Sequence, residues 1–159
     1  MLQQLLRPRR AFSLIELVIV VVIIGIIAAI AVPRMSRGAA GAADSSLSAN
    51  LAVLRNAVEL FQAEHGGAYP KLADLPQAFT QYSDVLGTTF SATKTATCIY
   101  GPYLRAVPVL PVGADKGKSS FIGAFAAGNA WVYVETTGGL TANCPDAEVD
   151  ARGVKYNAY

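Results

Sequence analysis

Residues 12–32 form a long apolar run in which Glu16 is the one charged side chain. In helical form the run extends about 31 Å, at 1.5 Å per residue, and this length matches the roughly 30 Å hydrocarbon core of a bilayer. The run therefore predicts a membrane-spanning helix. Because an ionised side chain costs about 2.5 to 3.5 kcal/mol near the centre of such a helix, and less near an end, Glu16 requires a specific explanation.

A basic leader, residues 1–11, precedes the apolar run and carries Arg7, Arg9 and Arg10. A cleaved secretory signal usually has an apolar region of about 7 to 15 residues, followed by small residues at the cleavage site. Here the apolar run is longer and contains an acid near its start, which favours a retained anchor. The three arginines favour a cytoplasmic leader, so we expect the bulk of the chain outside the cytoplasm.

The sequence of residues 9–35, RRAFSLIELVIVVVIIGIIAAIAVPRM, resembles the N-terminal signature of type IV pilins and of the pseudopilins of type II secretion. The resemblance implies that a prepilin peptidase cleaves between Ala11 and Phe12, methylates Phe12 and leaves Glu16 as the fifth residue. The family normally has glycine before the cut, where this chain has Ala11. The resemblance also implies that copies of the chain and other pilin-like subunits form a fibre, at an inner-membrane platform with a cytoplasmic ATPase.

The new amine at Phe12 offers a physical explanation for Glu16. That amine would lie one helical turn from the carboxylate, and the amine of a neighbouring subunit could reach Glu16 after a small axial offset. Either pairing neutralises the acid. The second pairing also fixes the stagger between subunits, because a misregistered helix leaves its charge unpaired. The alternative is a carboxylate at the headgroup level with no partner.

An amphipathic stripe follows the apolar run in residues 34–66. Its apolar members recur at spacings of four and three residues, as on one face of a helix: Leu47, Leu51, Leu54, Val58 and Phe61. We expect one long helix that ends near His65, because the Gly-Gly pair at 66–67 supplies a left-handed stop. Within it, Pro33 predicts a kink and Gly25 permits close approach of neighbouring helices.

Residues 67–159 predict a globular domain with a small antiparallel sheet. Strand-like segments occur at 97–104, 120–126, 130–136 and 140–144, and a turn-rich stretch before them allows a short helical turn at 73–79. The glycines at 138 and 139 predict a hairpin between the last two strands. One long helix packed on such a sheet is an α+β architecture, and the resemblance implies the pilin fold.

Three phrases of the globular part, GAYP, GPYLRAVP and AWVYVETTGGL, resemble segments of major pseudopilins. They favour a subunit of a secretion pseudopilus, held in the cytoplasmic membrane with its C-terminal domain in the periplasm. Two alternatives stay open: a surface or DNA-uptake type IV pilin, and a signal-anchored extracytoplasmic binding module. Without residues 1–11 the chain has 10 basic and 11 acidic side chains. This near-neutral charge does not favour nucleic-acid binding.

The two cysteines, Cys98 and Cys144, both fall in the part of the chain that we expect in an oxidising compartment. We therefore expect a disulfide between them. On the chain-entropy model such a bond contributes about 4 kcal/mol to stability. The alternative is two free buried thiols.

Three acids alternate near the C-terminus: Asp146, Glu148 and Asp150. In an extended chain their side chains would project to one face and could supply oxygen ligands to calcium. The segment has neither EF-hand spacing nor a turn glycine, so a solvated acidic loop is the alternative. We expect no cofactor and no resident metal.

No pattern in the sequence assembles an enzyme. The only histidine, His65, falls at the predicted helix end, where it is expected to cap carbonyls. The chain contains no GxSxG, P-loop or HExxH pattern. We expect a structural protein that is a substrate of processing enzymes and not itself a catalyst.

Overall fold

The computed structural model describes residues 12–159, and of Pro33, Ser36 and Arg37 it describes the backbone only. The leader, with the predicted cleavage residue Ala11, lies outside the described residues. The chain divides into two compact units, with the boundary between Ala39 and Ala40. The segment boundaries expected at residues 33 and 66 stay predictions.

The first helix, α1, spans Leu14–Glu64 and contains both the apolar run and the amphipathic stripe. It ends where the sequence predicts, because Gly66 and Gly67 have φ of 66° and 89°, values that glycine adopts without steric cost. The backbone nitrogen of Gly67 donates to the carbonyl of Gln62 at 2.8 Å and so satisfies one of the free carbonyls at the helix end. The backbone is helical at position 33, and the kink expected there stays a prediction.

The amphipathic stripe of α1 contributes to the core of residues 40–159. Its apolar members are at most 2 % exposed: Leu47, Leu51, Leu54, Val58 and Phe61. The first four pack in one cluster with Trp131, Tyr133 and Leu140 of the sheet. Each such side chain contributes about 1.5 to 3 kcal/mol on burial. The predicted packing of the helix on a sheet is confirmed.

Two short helical elements follow α1. A 3₁₀ turn, Leu72–Asp74, leads into α2, Leu75–Thr80, and together they confirm the helical turn predicted at residues 73–79. Phe79 of α2 is fully buried in the core cluster. Next, β1, Tyr82–Ser83, pairs antiparallel with β2, Phe90–Ser91.

The main sheet has three short strands: β3, Phe121–Ile122, β4, Trp131–Val134, and β5, Gly139–Ala142. They confirm three of the predicted strands over shorter ranges. β4 and β5 form the predicted antiparallel hairpin, whose loop ends in Gly138 at φ 69°. β3 pairs parallel to β4, so this sheet is mixed rather than purely antiparallel. The α+β class is confirmed.

The strand predicted at residues 97–104 is wrong. In the described structure the segment makes a single bridge to β1, between Ser83 and Tyr100. Gly101 has φ 76° and is followed by a proline without an N–H group, so strand pairing cannot continue. The next two backbone nitrogens donate instead to the carbonyl of Phe79, at 3.0 and 2.8 Å. The segment is therefore fixed to the end of α2.

Asn143 holds the connection between β3 and β4, a role that the sequence did not indicate. Its side chain is buried, and its Oδ1 accepts from the backbone nitrogen of Ala126 at 3.2 Å. Its Nδ2 donates to the carbonyls of Ala126 and Asn129 at 2.8 and 2.9 Å. A side-chain amide thus satisfies part-buried backbone groups that no strand pairs.

Candidate functional site

The start of α1 places Glu16 beside the backbone of Ser13. Glu16 Oε2 accepts from the Ser13 nitrogen at 3.5 Å, and the nitrogen of Leu17 donates to the Ser13 carbonyl at 3.2 Å. This arrangement is the carboxylate half of a capping box, and a negative charge in the first turn also interacts favourably with the helix dipole. The predictions for Glu16 did not include this cap, although the S-x-x-E spacing is its sequence signal.

The apolar part of α1, Leu14–Val32, is long and apolar enough to cross a membrane, with a mean hydropathy of 3.2 over 19 residues. Its large apolar side chains are exposed along the whole segment, from 43 % for Val18 to 81 % for Leu14. A surface this apolar is unfavourable in water, so it requires cover by lipid or by other helices.

Gly25 lies near the middle of this apolar surface. A Cβ atom built there would meet nothing within 4 Å, so the described residues leave the space beside it open. Small residues at such positions allow a neighbouring helix to approach closely. The packing role of Gly25 and the assembly roles of Phe12 and Glu16 stay predictions.

The comparison with protein families agrees with this description of the N-terminus. A family model described as the prokaryotic N-terminal methylation motif matches residues 6–32, which include part of the leader, the predicted cut and the apolar surface. No curated protein and no solved structure matches the chain.

The match is confined to the N-terminal part of the chain. This motif, of the kind that a prepilin peptidase processes, supports a type IV pilin-like character for the chain. Its apolar helix fits a membrane-anchored subunit. Such a motif indicates a structural rather than a catalytic protein.

The three C-terminal acids have separate partners. Asp146 accepts from Lys155 Nζ at 2.6 Å, and Glu148 Oε1 accepts from the backbone nitrogen of Ala114 at 2.9 Å. Asp150 accepts hydrogen bonds from the C-terminal residues that follow it. Among the residues that the structure describes, no group of three or more His, Cys, Asp or Glu side chains is placed to hold a metal ion. The calcium arrangement considered for these acids is therefore not formed.

Asp150 is the buried anchor of the C-terminal segment. It accepts from the Tyr159 hydroxyl at 2.6 Å, from Arg152 Nε at 2.8 Å and from the backbone nitrogen of Val154 at 2.8 Å. The hydrogen bond from Tyr159, more than the others, lowers the pKa of Asp150. Arg55 of α1 donates from Nη2 to the carbonyl oxygen of Tyr159 at 2.6 Å, so the same segment is also attached to the helix.

Both cysteines are buried free thiols in the described residues, so the expected disulfide is not formed. Cys98 Sγ donates to the carbonyl of Thr89 at 3.6 Å, whereas Cys144 belongs to the core cluster that contains Trp131. Burial, reinforced by the adjacent Glu148 carboxylate, raises the pKa of the Cys144 thiol to about 12. The predicted disulfide is therefore unconfirmed and stays a prediction.

His65 caps the end of α1, as the sequence predicts. Its Nδ1 lies 2.7 Å from the carbonyl oxygen of Phe61, and its ring stacks on the Phe61 ring at 3.8 Å. Its Nε2 lies 3.0 Å from Ser83 Oγ, a contact that the sequence did not indicate. The side chains of both His65 and Ser83 are buried, so the pair cannot reach a substrate.

Proposed function

We propose that this chain is a structural subunit of a pseudopilus, a pilus-like fibre for protein secretion. In this proposal the peptidase cuts between Ala11 and Phe12 and methylates Phe12, and the processed subunit is extracted from the membrane into the fibre. The observation that carries the proposal is the methylation motif on the Leu14–Val32 part of α1, where every large apolar side chain is exposed. Membrane storage and fibre packing then use the same surface, covered first by lipid and later by neighbouring helices.

The proposed register of the fibre depends on Glu16. In the described chain its carboxylate accepts a hydrogen bond from the helix's own first turn. Cleavage before Phe12 creates a cationic amine one residue before Ser13, whose nitrogen is the present donor to Glu16, and a charged partner interacts more strongly than a neutral amide. An amine from the neighbouring subunit would pair equally well and would set the axial stagger. A helix in the wrong register would leave an unpaired charge in an apolar surround.

Contacts between the pseudopilin-like phrases support a secretion subunit. Tyr133 of AWVYV donates its hydroxyl to the carbonyl of Pro70 in GAYP at 2.8 Å. Tyr103 of GPYL donates to Glu64 near the end of α1. The first contact joins two of the phrases to each other, and the second attaches the third phrase to the last residue of α1. The near-neutral charge after removal of the leader favours this subunit over a DNA-uptake pilin.

We further propose the placement of each segment. Residues 12–33 lie in the cytoplasmic membrane as a single span, residues 34–66 continue toward the outside, and residues 67–159 lie in the periplasm. The leader, 1–11, stays cytoplasmic until it is removed. Assembly takes place on an inner-membrane platform, and a separate cytoplasmic ATPase supplies the energy.

A membrane-anchored binding module is the second candidate function. It is favoured by an apolar groove of about 520 Å³ on the globular domain, lined by Phe125, Val132 and Pro145 among others. A tethered module needs the apolar helix but has no use for a peptidase cut or for Glu16. Processing at the N-terminus therefore separates the two candidates.

The decisive experiment is the N-terminal sequence and intact mass of the protein purified from membranes of cells that contain its peptidase. We expect a chain that starts at Phe12 and is one methyl group heavier than the unmodified peptide. Ala11→Gly, which introduces the usual family residue, should be cut at least as completely, and Ala11→Leu should remain uncut. A wild-type chain that still starts at Met1 would contradict the proposal and favour the binding module.

A further inference from the structure

The turn between β1 and β2, residues 84–89, presents two adjacent apolar side chains to solvent. Val85 is 61 % exposed and Leu86 is 71 % exposed, and these are the two most exposed large apolar side chains of residues 40–159. An apolar side chain that is exposed singly needs no explanation. An adjacent pair at the tip of a turn indicates a surface that a partner covers.

The turn itself is held in one shape. Asp84 Oδ1 accepts from the backbone nitrogens of Thr88 and Thr89 at 2.8 and 3.1 Å. The nitrogen of Gly87 donates to the Asp84 carbonyl at 3.0 Å. Gly87 has φ 67°, and a Cβ atom built there would lie 2.5 Å from Cζ of Phe61, so the turn packs closely on the end of α1. A rigid support of this kind lowers the entropic cost of binding through the two side chains that it presents.

The apolar groove of the globular domain is a recess of suitable size. Its volume of about 520 Å³ is ample for two branched side chains. It lies on the outer face of the main sheet: Trp131 and Tyr133 pack with the stripe of α1, so Val132 between them faces the other way. Phe125, which is 57 % exposed, also lines the groove. The turn and the groove are therefore two separate surfaces of one domain.

Neither surface brings an unpaired charge to the other. In the groove, Asp146 accepts from Lys155 Nζ at 2.6 Å and from Asn157 Nδ2 at 2.8 Å. In residues 84–89 the one charged side chain is Asp84, whose carboxylate accepts from its own turn. An apolar contact between the two surfaces thus avoids the cost of burying a charge without a partner.

We propose that Val85 and Leu86 of one copy of the chain dock in the apolar groove of a second copy. This contact rests on the proposed function, since a fibre brings copies of the chain side by side. Because the turn and the groove are different surfaces, the contact is heterologous: each copy inserts its turn into one neighbour and receives the turn of another. Such a contact can repeat without closing, as a filament requires. It also gives an occupant to the groove that otherwise favours a binding module.

The first test is photocrosslinking of the full chain, both in cell membranes and in detergent micelles. A photoreactive benzoylphenylalanine replaces Val85, and mass spectrometry of the digested product identifies the residue to which it is joined. We expect crosslinked copies in which position 85 is joined to Phe125, Val132 or Pro145. The same probe at Val109, which is 49 % exposed and does not line the groove, should give no link to these residues. Links from position 85 only to other proteins, or only to other parts of a second copy, would overturn the proposal.

The second test places charges at the contact. Leu86→Asp puts a carboxylate into the apolar groove beside Asp146, so the yield of the crosslink from position 85 should fall at least about tenfold. Phe125→Lys should lower it similarly. The two changes combined place opposite charges across the contact, and the yield should rise above that of either single variant. Val109→Asp is the matched control and should keep the wild-type yield. An undiminished yield in either single variant, or no gain in the combined one, would overturn the proposal.

These substitutions should not disturb the fold. Leu86 and Phe125 are both exposed, so the Tm, followed by the fluorescence of the buried Trp131, should be the same as in wild type. If a variant nevertheless unfolds, the links from position 85 in the otherwise unchanged chain decide the matter.

Mixed copies test the direction of the contact. A Leu86→Asp copy keeps its groove, and a Phe125→Asp copy keeps its turn. The probe at position 85 of the Phe125→Asp copy should therefore link to the Leu86→Asp copy, whereas the probe in the Leu86→Asp copy should not link to the Phe125→Asp copy. Equal links in both directions would overturn the heterologous contact.

The N-terminus and the fibres are measured in the same samples, which separates this contact from the proposed function. Processed wild-type chains that form fibres without a link from position 85 to the groove would overturn the contact alone. Unprocessed wild-type chains without fibres would overturn the proposed function, and the micelle experiment would still show whether the turn of one copy enters the groove of another.

Discussion

Glu16 Oε2 accepts a hydrogen bond from the backbone nitrogen of Ser13, so the one carboxylate of the apolar segment is engaged by the start of its own helix. The contact is long, at 3.5 Å, and its donor is a neutral amide. A cationic amine at Phe12 would be a stronger partner for the same oxygen. On the proposed function, the processed chain therefore offers Glu16 a charged partner, which can come from its own N-terminus or from another subunit.

Neutralisation of Glu16 should prevent ordered assembly. We expect Glu16→Gln and Glu16→Ala to insert in the membrane as well as wild type, because each removes a charge from the apolar segment. Fibres should be absent or irregular, because the charge pairing that fixes the stagger is lost. Membrane fractionation followed by electron microscopy of sheared fibres measures the two properties separately.

Ser13→Ala is the matched control for the Glu16 variants. It removes a hydroxyl from the same helix turn but keeps the backbone nitrogen that Glu16 accepts from. Its fibres should be normal in number and regularity. Regular fibres from Glu16→Gln would show that the carboxylate does not set the register.

Two leucines on α1 test the packing of the helix. Leu51 is 1 % exposed in the core, whereas Leu60 is 53 % exposed. We expect Leu51→Ala to lower the free energy of unfolding by about 2 to 5 kcal/mol, because it opens a cavity. Leu60→Ala should change it by about 0.5 kcal/mol or less. Thermal unfolding followed by Trp131 fluorescence gives both values, and similar losses in the two variants would contradict the burial of the stripe.

Periodicity predicted the elements whose geometry is local. The stripe that contains Leu51 follows the helical period, and the alternation around Trp131 follows the strand period. The strand expected at residues 97–104 is absent from the described structure because Gly101, with its positive φ, and the proline after it interrupt the backbone pairing. A glycine with positive φ that is followed by a proline thus prevents strand pairing even within a run of strand-favouring residues.

The partners of the functional residues were harder to predict. The position of Glu16 was evident from one charge in an apolar run, but its cap required attention to the S-x-x-E spacing. Ser83 is 18 residues from His65, and Arg55 is 104 residues from Tyr159. No local period encodes contacts over such separations, because they depend on how the globular domain folds back on α1.

The thiols should react as two separate buried groups. Under native conditions we expect slow alkylation of Cys98 and Cys144, because each is 2 % exposed. The pKa of Cys144, raised to about 12 by burial, also leaves very little of the reactive thiolate at neutral pH. After unfolding without reductant, intact mass should show two alkyl groups per chain. A chain that takes up none would establish the disulfide instead.

Asp150 should make the stability of the globular domain sensitive to acid. Its pKa is lowered in the folded protein, first by the hydrogen bond from Tyr159. A group with a lowered folded pKa stabilises the protein above its unfolded pKa of about 3.9, and this contribution is lost as the pH falls toward the folded pKa. Asp150→Asn lacks the charge at every pH. We therefore expect its Tm deficit relative to wild type to be constant above about pH 5 and to shrink progressively below about pH 4.

Asp146→Asn is the matched control for the acid dependence of Asp150. The pKa of Asp146 is also lowered, chiefly by the hydrogen bond from Lys155, but this ion pair is exposed, with 72 % of the Asp146 side chain accessible. Exposed pairs contribute little because solvent screens them and because two side chains must be ordered. The Tm deficit of Asp146→Asn should therefore be smaller at pH 7 and should decrease strongly in 1 M NaCl, whereas that of Asp150→Asn should persist. Equal deficits with equal salt dependence would mean that Asp150 is not the anchor of the C-terminal segment, which would then depend on Arg55 and Asp44 of α1 through the Tyr159 carbonyl and the Tyr156 hydroxyl.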